Sequence, residues 1–381
     1  MRLKIHYGTA VTGEQRFARP ALEQRLNEAM QSSNGVKMFG LRRIGKSTLR
    51  ECAIEELKRQ KIPYVSLDGQ GLTSLSDFMT KWMSLLLKEQ NWLQGLLRTA
   101  AKSPLPLLVD AFTKGTPFDE TALDAYWQGV SSAILDSSQA EPPPILIVDE
   151  FSMFIDNLVR RHGPDKANRL LASMREWRGA GVRMLLTGSI GMQWLAREHC
   201  LNHEHLNDLQ HFEVPELTET EAREFICAAT DAATWTPAHT EALLRETGGL
   251  YPCFLVKALL EVGMAQPKDP ADFATIFADC VRPNLHEDFF RQFDRRLKAY
   301  AKLPGNQYRE IVVPILKAVM AAEEPCPADN LPGADPLDRA EVLDMLKEDG
   351  FITCTVDASY KRKWKPASRL VQAWWMQRGL A

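Results

Sequence analysis

The chain has 381 residues, 45% hydrophobic and 25% charged, with a formal net charge of −3. That length exceeds one ordinary core and implies two or three domains, and the charge excludes a global basic field for nucleic acid. Seven scattered cysteines without a CxxC pair, an N-terminus without an apolar signal region and no bilayer-length apolar run predict a cytoplasmic protein with reduced thiols and no membrane partner.

Residues 1–20 read as an extended lead-in punctuated by Gly8, Gly13 and Pro20. Pro20 suits the first turn of a helix whose apolar stripe is Leu22, Leu26, Ala29 and Met30. After Ser32-Ser33-Asn34-Gly35 comes the apolar run Val36 to Phe39, interrupted by Lys37, and then Gly40-x-x-x-x-Gly45-Lys46-Ser47. This is a full phosphate-binding loop pattern. At background frequencies it arises by chance in about 3 of 100,000 windows. Glycines let successive N–H groups turn towards phosphates, and the following helix adds its positive end. The expected nucleotide contacts are Gly40, Arg42, Arg43, Ile44, Gly45, Lys46, Ser47 and Thr48, with Lys46 on the β/γ-phosphates and the Ser47 hydroxyl on Mg²⁺.

A helix from about Lys46 to Gln60 carries Leu49, Ala53, Ile54 and Leu57 on one face, and a buried-type strand follows at Tyr64 to Asp68. Residues 73–138 read as three helices whose Leu, Met and Trp stripe (Trp82, Leu85, Leu86, Trp92, Leu93, Leu96, Leu97) is core. Four apolar residues, Ile145 to Val148, then end in Asp149 and Glu150, the Walker B pattern: a buried parallel strand with acids at its C-terminal end. Asp149 is the expected second Mg²⁺ residue, and Glu150 the group that orients and deprotonates the attacking water. A helix at about 169–178 leads to the strand Val182 to Ser189. Its polar end offers Thr187 and Ser189 either as sensors of the γ-phosphate or as starters of the next turn. With a further strand at Gln210 to Val214, strands and helices alternate throughout, predicting a parallel sheet with an internal phosphate-loop strand, covered on both faces.

Beyond Pro215 the pattern is helical, beginning with the capping box Thr218 to Glu221, with further helices at 237–246 and 252–260. The last hundred residues read as a helix at 308–320 bent at Pro314, a helix at 337–346 closed by Gly350, and a hairpin turned at Asp357 to Ser359. Helix, helix and hairpin suit a winged helix. Its second helix and flanks carry Asp335, Asp338, Glu341, Asp344, Glu348 and Asp349, which phosphates repel. The wing has Lys361, Arg362, Lys363 and Lys365 around Trp364, allowing at most weak DNA backbone contact through residues 360–365. The run His199-Cys200-x-x-His203-x-His205, with His211 nearby, lacks zinc-site spacing and reads as a polar loop. No arginine finger can be assigned: Arg175, Arg178 and Arg197 are candidates, but each reads more readily as an ordinary solvated helix charge.

Gly40 to Leu49, Ile147-Val-Asp-Glu-Phe151 and Leu186-Thr-Gly-Ser189 resemble the archaeal-type ATPases of the STAND class, relatives of AAA+ proteins. Val214 to Ala222, Gly248-Gly-Leu-Tyr-Pro252 and the C-terminal wing extend the resemblance over about residues 13–381. It implies an α/β P-loop NTPase domain at 1–214, an α-helical lid at 215–280 and a winged-helix-like domain at 281–381. It also implies a nucleotide-dependent switch using ATP or ADP and Mg²⁺ and acting on a protein partner, with Pro252 near the base or ribose. The family's acidic element before the first helix is replaced here by Phe17-Ala-Arg19-Pro-Ala-Leu-Glu23, which leaves base selectivity open. The alternatives are a DNA-dependent ATPase or loader and a non-hydrolysing nucleotide-bound scaffold.

Overall fold

A computed structural model describes residues 3, 5, 11, 13–88, 120–137, 142–189, 191–302, 308–333 and 335–378. The middle of the expected 73–138 helical segment, with Trp92, Leu93, Leu96 and Leu97, lies outside them. The chain divides into two compact units. One comprises Pro20–Phe39 and Leu49–Glu213; the other comprises Met1–Arg19, Gly40–Thr48 and Val214–Ala381.

In the first of these units, strands β1 (Gly35–Phe39), β2 (Tyr64–Asp68), β3 (Ile145–Asp149), β4 (Arg183–Gly188) and β5 (Gln210–His211) form a parallel sheet in the order β2-β3-β4-β1-β5. Ile145 to Val148 are all buried, as are Met184 to Gly188. Successive strand residues face opposite ways, so both sheet faces are covered, as expected. β1 is internal, between β4 and β5, and β4 separates it from the acid-bearing β3. Because all strands run one way, β1, β3 and β4 end on the same edge; Phe39 pairs in register with Gly188 there.

The helices of this unit are α1 (Pro20–Ser32), α2 (Lys46–Gln60, which starts in the other unit), α3 (Leu75–Lys88), α4 (Glu120–Ser137), α5 (Phe151–His162), α6 (Pro164–Gly179) and α7 (Met192–His199). The stripes expected on α1 and α2 are buried. Trp82 packs edge-on to Phe78 and Trp177, as core. Two buried indoles find hydroxyl partners: Trp177 Nε1 donates to Ser131 Oγ (2.7 Å) and Trp127 Nε1 to Ser173 Oγ (3.2 Å). Two expectations change. The helix expected at 169–178 begins at Pro164, a residue suited to a first turn, and a separate α5 precedes it. The fifth strand is only two residues long, because Pro215 follows closely and cannot extend a ladder.

The other unit holds α8 (Glu219–Ala229), α9 (Pro237–Thr247) and α10 (Pro252–Val262), and α8 opens with the expected capping box at Thr218 and Glu221. A nearly continuous helical run follows: α11 (Phe273–Ile276), α12 (Arg282–Leu285) and α13 (Arg291–Tyr300), joined by wider turns at Phe277–Val281 and His286–Phe290. Then come α14 (Val313–Ala321), α15 (Pro336–Glu348), a hairpin of β7 (Ile352–Val356) and β8 (Arg362–Pro366), and α16 (Arg369–Gln377). The short strand β6 (Cys326–Pro327), not expected from the sequence, pairs antiparallel with β8. Pro314 stands in the first turn of α14, where its missing N–H does little harm, and the irregular turn Tyr308–Val312 precedes it. At the core Phe293 packs on Phe351, while Arg296 Nη1 donates to the Asp349 carbonyl (2.7 Å) and Tyr300 donates to the Asp349 carboxylate. Burial, and the neighbouring Asp349 charge, push the Tyr300 phenol well above its ordinary pKa.

Candidate nucleotide site

The glycine loop leaves β1 at Gly40 and ends where α2 begins at Lys46. Gly45 adopts φ 109° and Arg43 φ 66°, so the loop curls through left-handed conformations. A side chain at Gly45 would be strained there. Lys46 is buried, and its ammonium donates to the loop's own Gly40 carbonyl (2.9 Å) and Leu41 carbonyl (2.6 Å). A phosphate, being charged, is the stronger acceptor for this lysine. Ser47 and Thr48 occupy the first turn of α2, and Ile44 stands within the loop itself.

The C-terminal residues of the same unit touch the loop. Arg42 N donates to Gln292 Oε1 (3.3 Å) and Arg43 Nη1 to the Asp288 carbonyl (3.0 Å). An added Cβ on Gly350 would meet the Leu41 side chain at 2.3 Å, so the turn after α15 lies directly against the loop. None of these partners carries a sequence signature. Pro252 is the first residue of α10 and is half-buried.

In the sheet-bearing unit, the acid pair is held by the two hydroxyls expected of sensors. Asp149 Oδ1 accepts from Thr187 Oγ1 and from the Glu150 amide (3.1 Å). Glu150 Oε2 accepts from Ser189 Oγ (2.7 Å) and Ser189 N (3.1 Å). Glu150 itself is left-handed, at φ 48° and ψ 39°, which aims its side chain towards the end of β4 rather than along α5. Gly69 allows this turn. A Cβ there would lie 2.7 Å from the Asp149 carbonyl oxygen and 2.8 Å from that of Glu150. Asp149 Oδ2 pairs with Arg50, whose second nitrogen pairs with Glu51. Sequence reading passed over Arg50. Its signal was position, three residues beyond Ser47 and therefore near the same face of α2.

The donors expected to hold Mg²⁺ are oxygens, the Ser47 hydroxyl and the Asp149 carboxylate, which is the chemistry this hard cation takes. Asp149 already draws a cationic group onto one oxygen, so the residues fit the ion.

The arginine-finger candidates resolve unevenly. Arg178 is buried and binds Asp208 through Nε and Nη2 (both 2.7 Å), and Arg175 donates to the Glu204 carbonyl (3.2 Å). Arg178 is thus a core ion pair, with no side chain left to offer. Burial works against the Asp208 charge, but hydrogen bonds and attraction from Arg178 hold its pKa below the ordinary value. Arg19 grips Glu221 at 3.0 and 3.1 Å, and also donates to the Pro215 and Glu216 carbonyls. Of the histidine run, His199 joins Asp156 (2.9 Å) and Glu198 (3.9 Å), the one such group among the described residues.

A parallel sheet with an internal strand opening into a glycine loop, and an acid pair on the next strand but one, is a P-loop NTPase fold. Among solved structures the chain is similar to the Walker-type ATPase of Pyrococcus abyssi, with a TM-score of 0.55, 15% identity, and 96% of this chain and 97% of that one covered. It also matches the Aeropyrum pernix ORC2 protein (TM-score 0.44, 16% identity, 98% and 97% covered). A third match is a STAND protein with a tetratricopeptide repeat sensor from Pyrococcus horikoshii (TM-score 0.39, 14% identity, 97% and 43% covered). At such identities the likeness concerns the fold. No protein-family model matches the sequence, and no curated protein matches it.

Proposed function

We propose that the chain binds ATP with Mg²⁺ at residues 40–48, hydrolyses it slowly, and uses the nucleotide state to reposition its C-terminal elements against a protein partner. The observation that carries this reading is the acid pair at the end of β3, held by Thr187 and Ser189. It lies on the same sheet edge where β1 gives out to the loop. With nucleotide bound, Lys46 would exchange its Gly40 and Leu41 carbonyl acceptors for phosphate oxygens, and the amides of Gly45 to Thr48 would be available to the phosphate chain. Mg²⁺ would supply charge neutralisation to the phosphates, with the Ser47 hydroxyl and the Asp149 carboxylate as the oxygens offered to hold it. Glu150 orients water and takes its proton, and Ser189, its present partner, fixes where that carboxylate rests.

The coupling is supported by what touches the loop. The Asp288 carbonyl, the Gln292 side chain and the turn at Gly350 meet residues 41–43, so a change in loop conformation has groups to act on just before α13, within it and after α15. We read 1–214, 215–280 and 281–381 as NTPase, lid and winged-helix-like domains. Glu150→Gln should keep ATP binding and slow hydrolysis by about 10²- to 10⁴-fold in a single-turnover assay. Wild-type turnover in that variant would remove Glu150 from the mechanism.

The DNA-dependent reading is less well supported. Trp364 is buried and so offers no stacking surface; Arg362 pairs with Asp344 (3.2 Å) and Lys363 with Asp357 (3.6 Å). The exposed aromatic of the wing is Tyr360 instead.

A further inference from the structure

Asp149 reaches the end of β3 with both carboxylate oxygens engaged. Oδ1 takes the Thr187 hydroxyl and the Glu150 amide, and Oδ2 takes Arg50. The Arg50–Asp149 pair is largely shielded, each side chain being 16% exposed. Arg50 is poorly satisfied in that place. Its Nη groups bind Asp149 and Glu51, while its buried Nε meets no acceptor among the described residues.

Resting on the nucleotide reading above, we propose that Arg50 is the resident counter-ion of Asp149, exchanged for Mg²⁺ when the metal–nucleotide complex loads. A guanidinium and a divalent cation compete for Oδ2, because like charges repel at that range. Arg50 need not leave the neighbourhood. Glu51, already on its second nitrogen, is a carboxylate to which the whole guanidinium can pass. The exchange makes Arg50 a positioning residue that sets how much Mg²⁺ the site demands. With the ion absent, the arginine keeps Asp149 neutralised and the acid turn in place beside Thr187; with it present, the same oxygen is released. The arginine thus acts on Mg²⁺ demand through Asp149.

The test is the Mg²⁺ dependence of nucleotide binding, read from the fluorescence of methylanthraniloyl-ATP on the full-length protein. Glutamine and methionine are good helix formers, so Arg50→Gln and Arg50→Met serve as two independent neutral variants on α2. Both should bind the nucleotide at a half-saturating Mg²⁺ about three- to tenfold below that of wild type. Arg50→Lys, which keeps the charge, should stay within about twofold of wild type. A merely structural role would weaken binding at every Mg²⁺ concentration without moving the midpoint. An unmoved or raised midpoint in the neutral variants overturns the exchange, as does a lysine variant that shifts as far as they do. Failure of the wild-type protein to bind nucleotide at any Mg²⁺ concentration instead overturns the underlying nucleotide reading, and the exchange with it.

Discussion

At the residue scale, burial separates arginines that the sequence leaves equivalent. Arg178, which the sequence sets beside Arg175 and Arg197 as a finger candidate or an ordinary helix charge, is sunk against Asp208. Nothing in the helix pattern distinguishes these residues, because the partner acid comes from a loop 30 residues away. The pair predicts a pH signature. Since Asp208 is held below its ordinary pKa, its stabilisation is complete above the usual aspartate range and disappears as pH falls through the lowered value. Asp208→Asn should therefore cost about 2 kcal/mol at pH 7, discounted for partial exposure, and less at pH 3, where the stabilisation is part-way to being lost. Urea midpoints of the two proteins at both pH values check this. A gap that persists undiminished in acid would mean that the charge is not what matters.

At the element scale, the strongest local signals translated directly. The loop Gly40 to Ser47, the apolar strand ending in Asp149, the capping box at Thr218 and the hairpin at Asp357 all form where their chemistry requires. These are short-range devices, complete within a few residues. Part of what escaped reading depends on distant partners. The α5–α6 break at Gly163-Pro164 and the short β5 before Pro215 follow from local breakers that the reading did not use, whereas the pairing of β6 with β8 has no local periodicity to announce it. Gly69 is of the same kind: an unremarked residue after β2 whose lack of a side chain lets the acid turn close over it. Gly69→Ala must push two backbone carbonyls apart and should destabilise by about 1–3 kcal/mol, measurable by denaturant unfolding. Wild-type stability in that variant would show that the turn has slack.

At the scale of the whole molecule, the chain passes between its two units twice around a single motif. Strand β1 and most of α2 belong with the sheet, while the loop joining them clusters with the C-terminal elements through Leu41, Arg42 and Arg43. The sequence reading set the loop and the C-terminal hairpin in separate domains, because pattern alone cannot show that residues 40–43 and 288–350 are neighbours. On the proposed function, this neighbourhood is the route by which nucleotide occupancy would reach the C-terminal elements.

Everything functional depends on a triphosphate occupying the loop that begins at Gly40. Calorimetric titration of the full-length protein and of Lys46→Ala with ATP and Mg²⁺ tests it most directly. The account predicts a saturable one-site isotherm for the wild type and an affinity at least about a hundredfold weaker in the variant, because the lysine meets the phosphates themselves. Equal affinity in the two proteins, or no binding by the wild type, would contradict it.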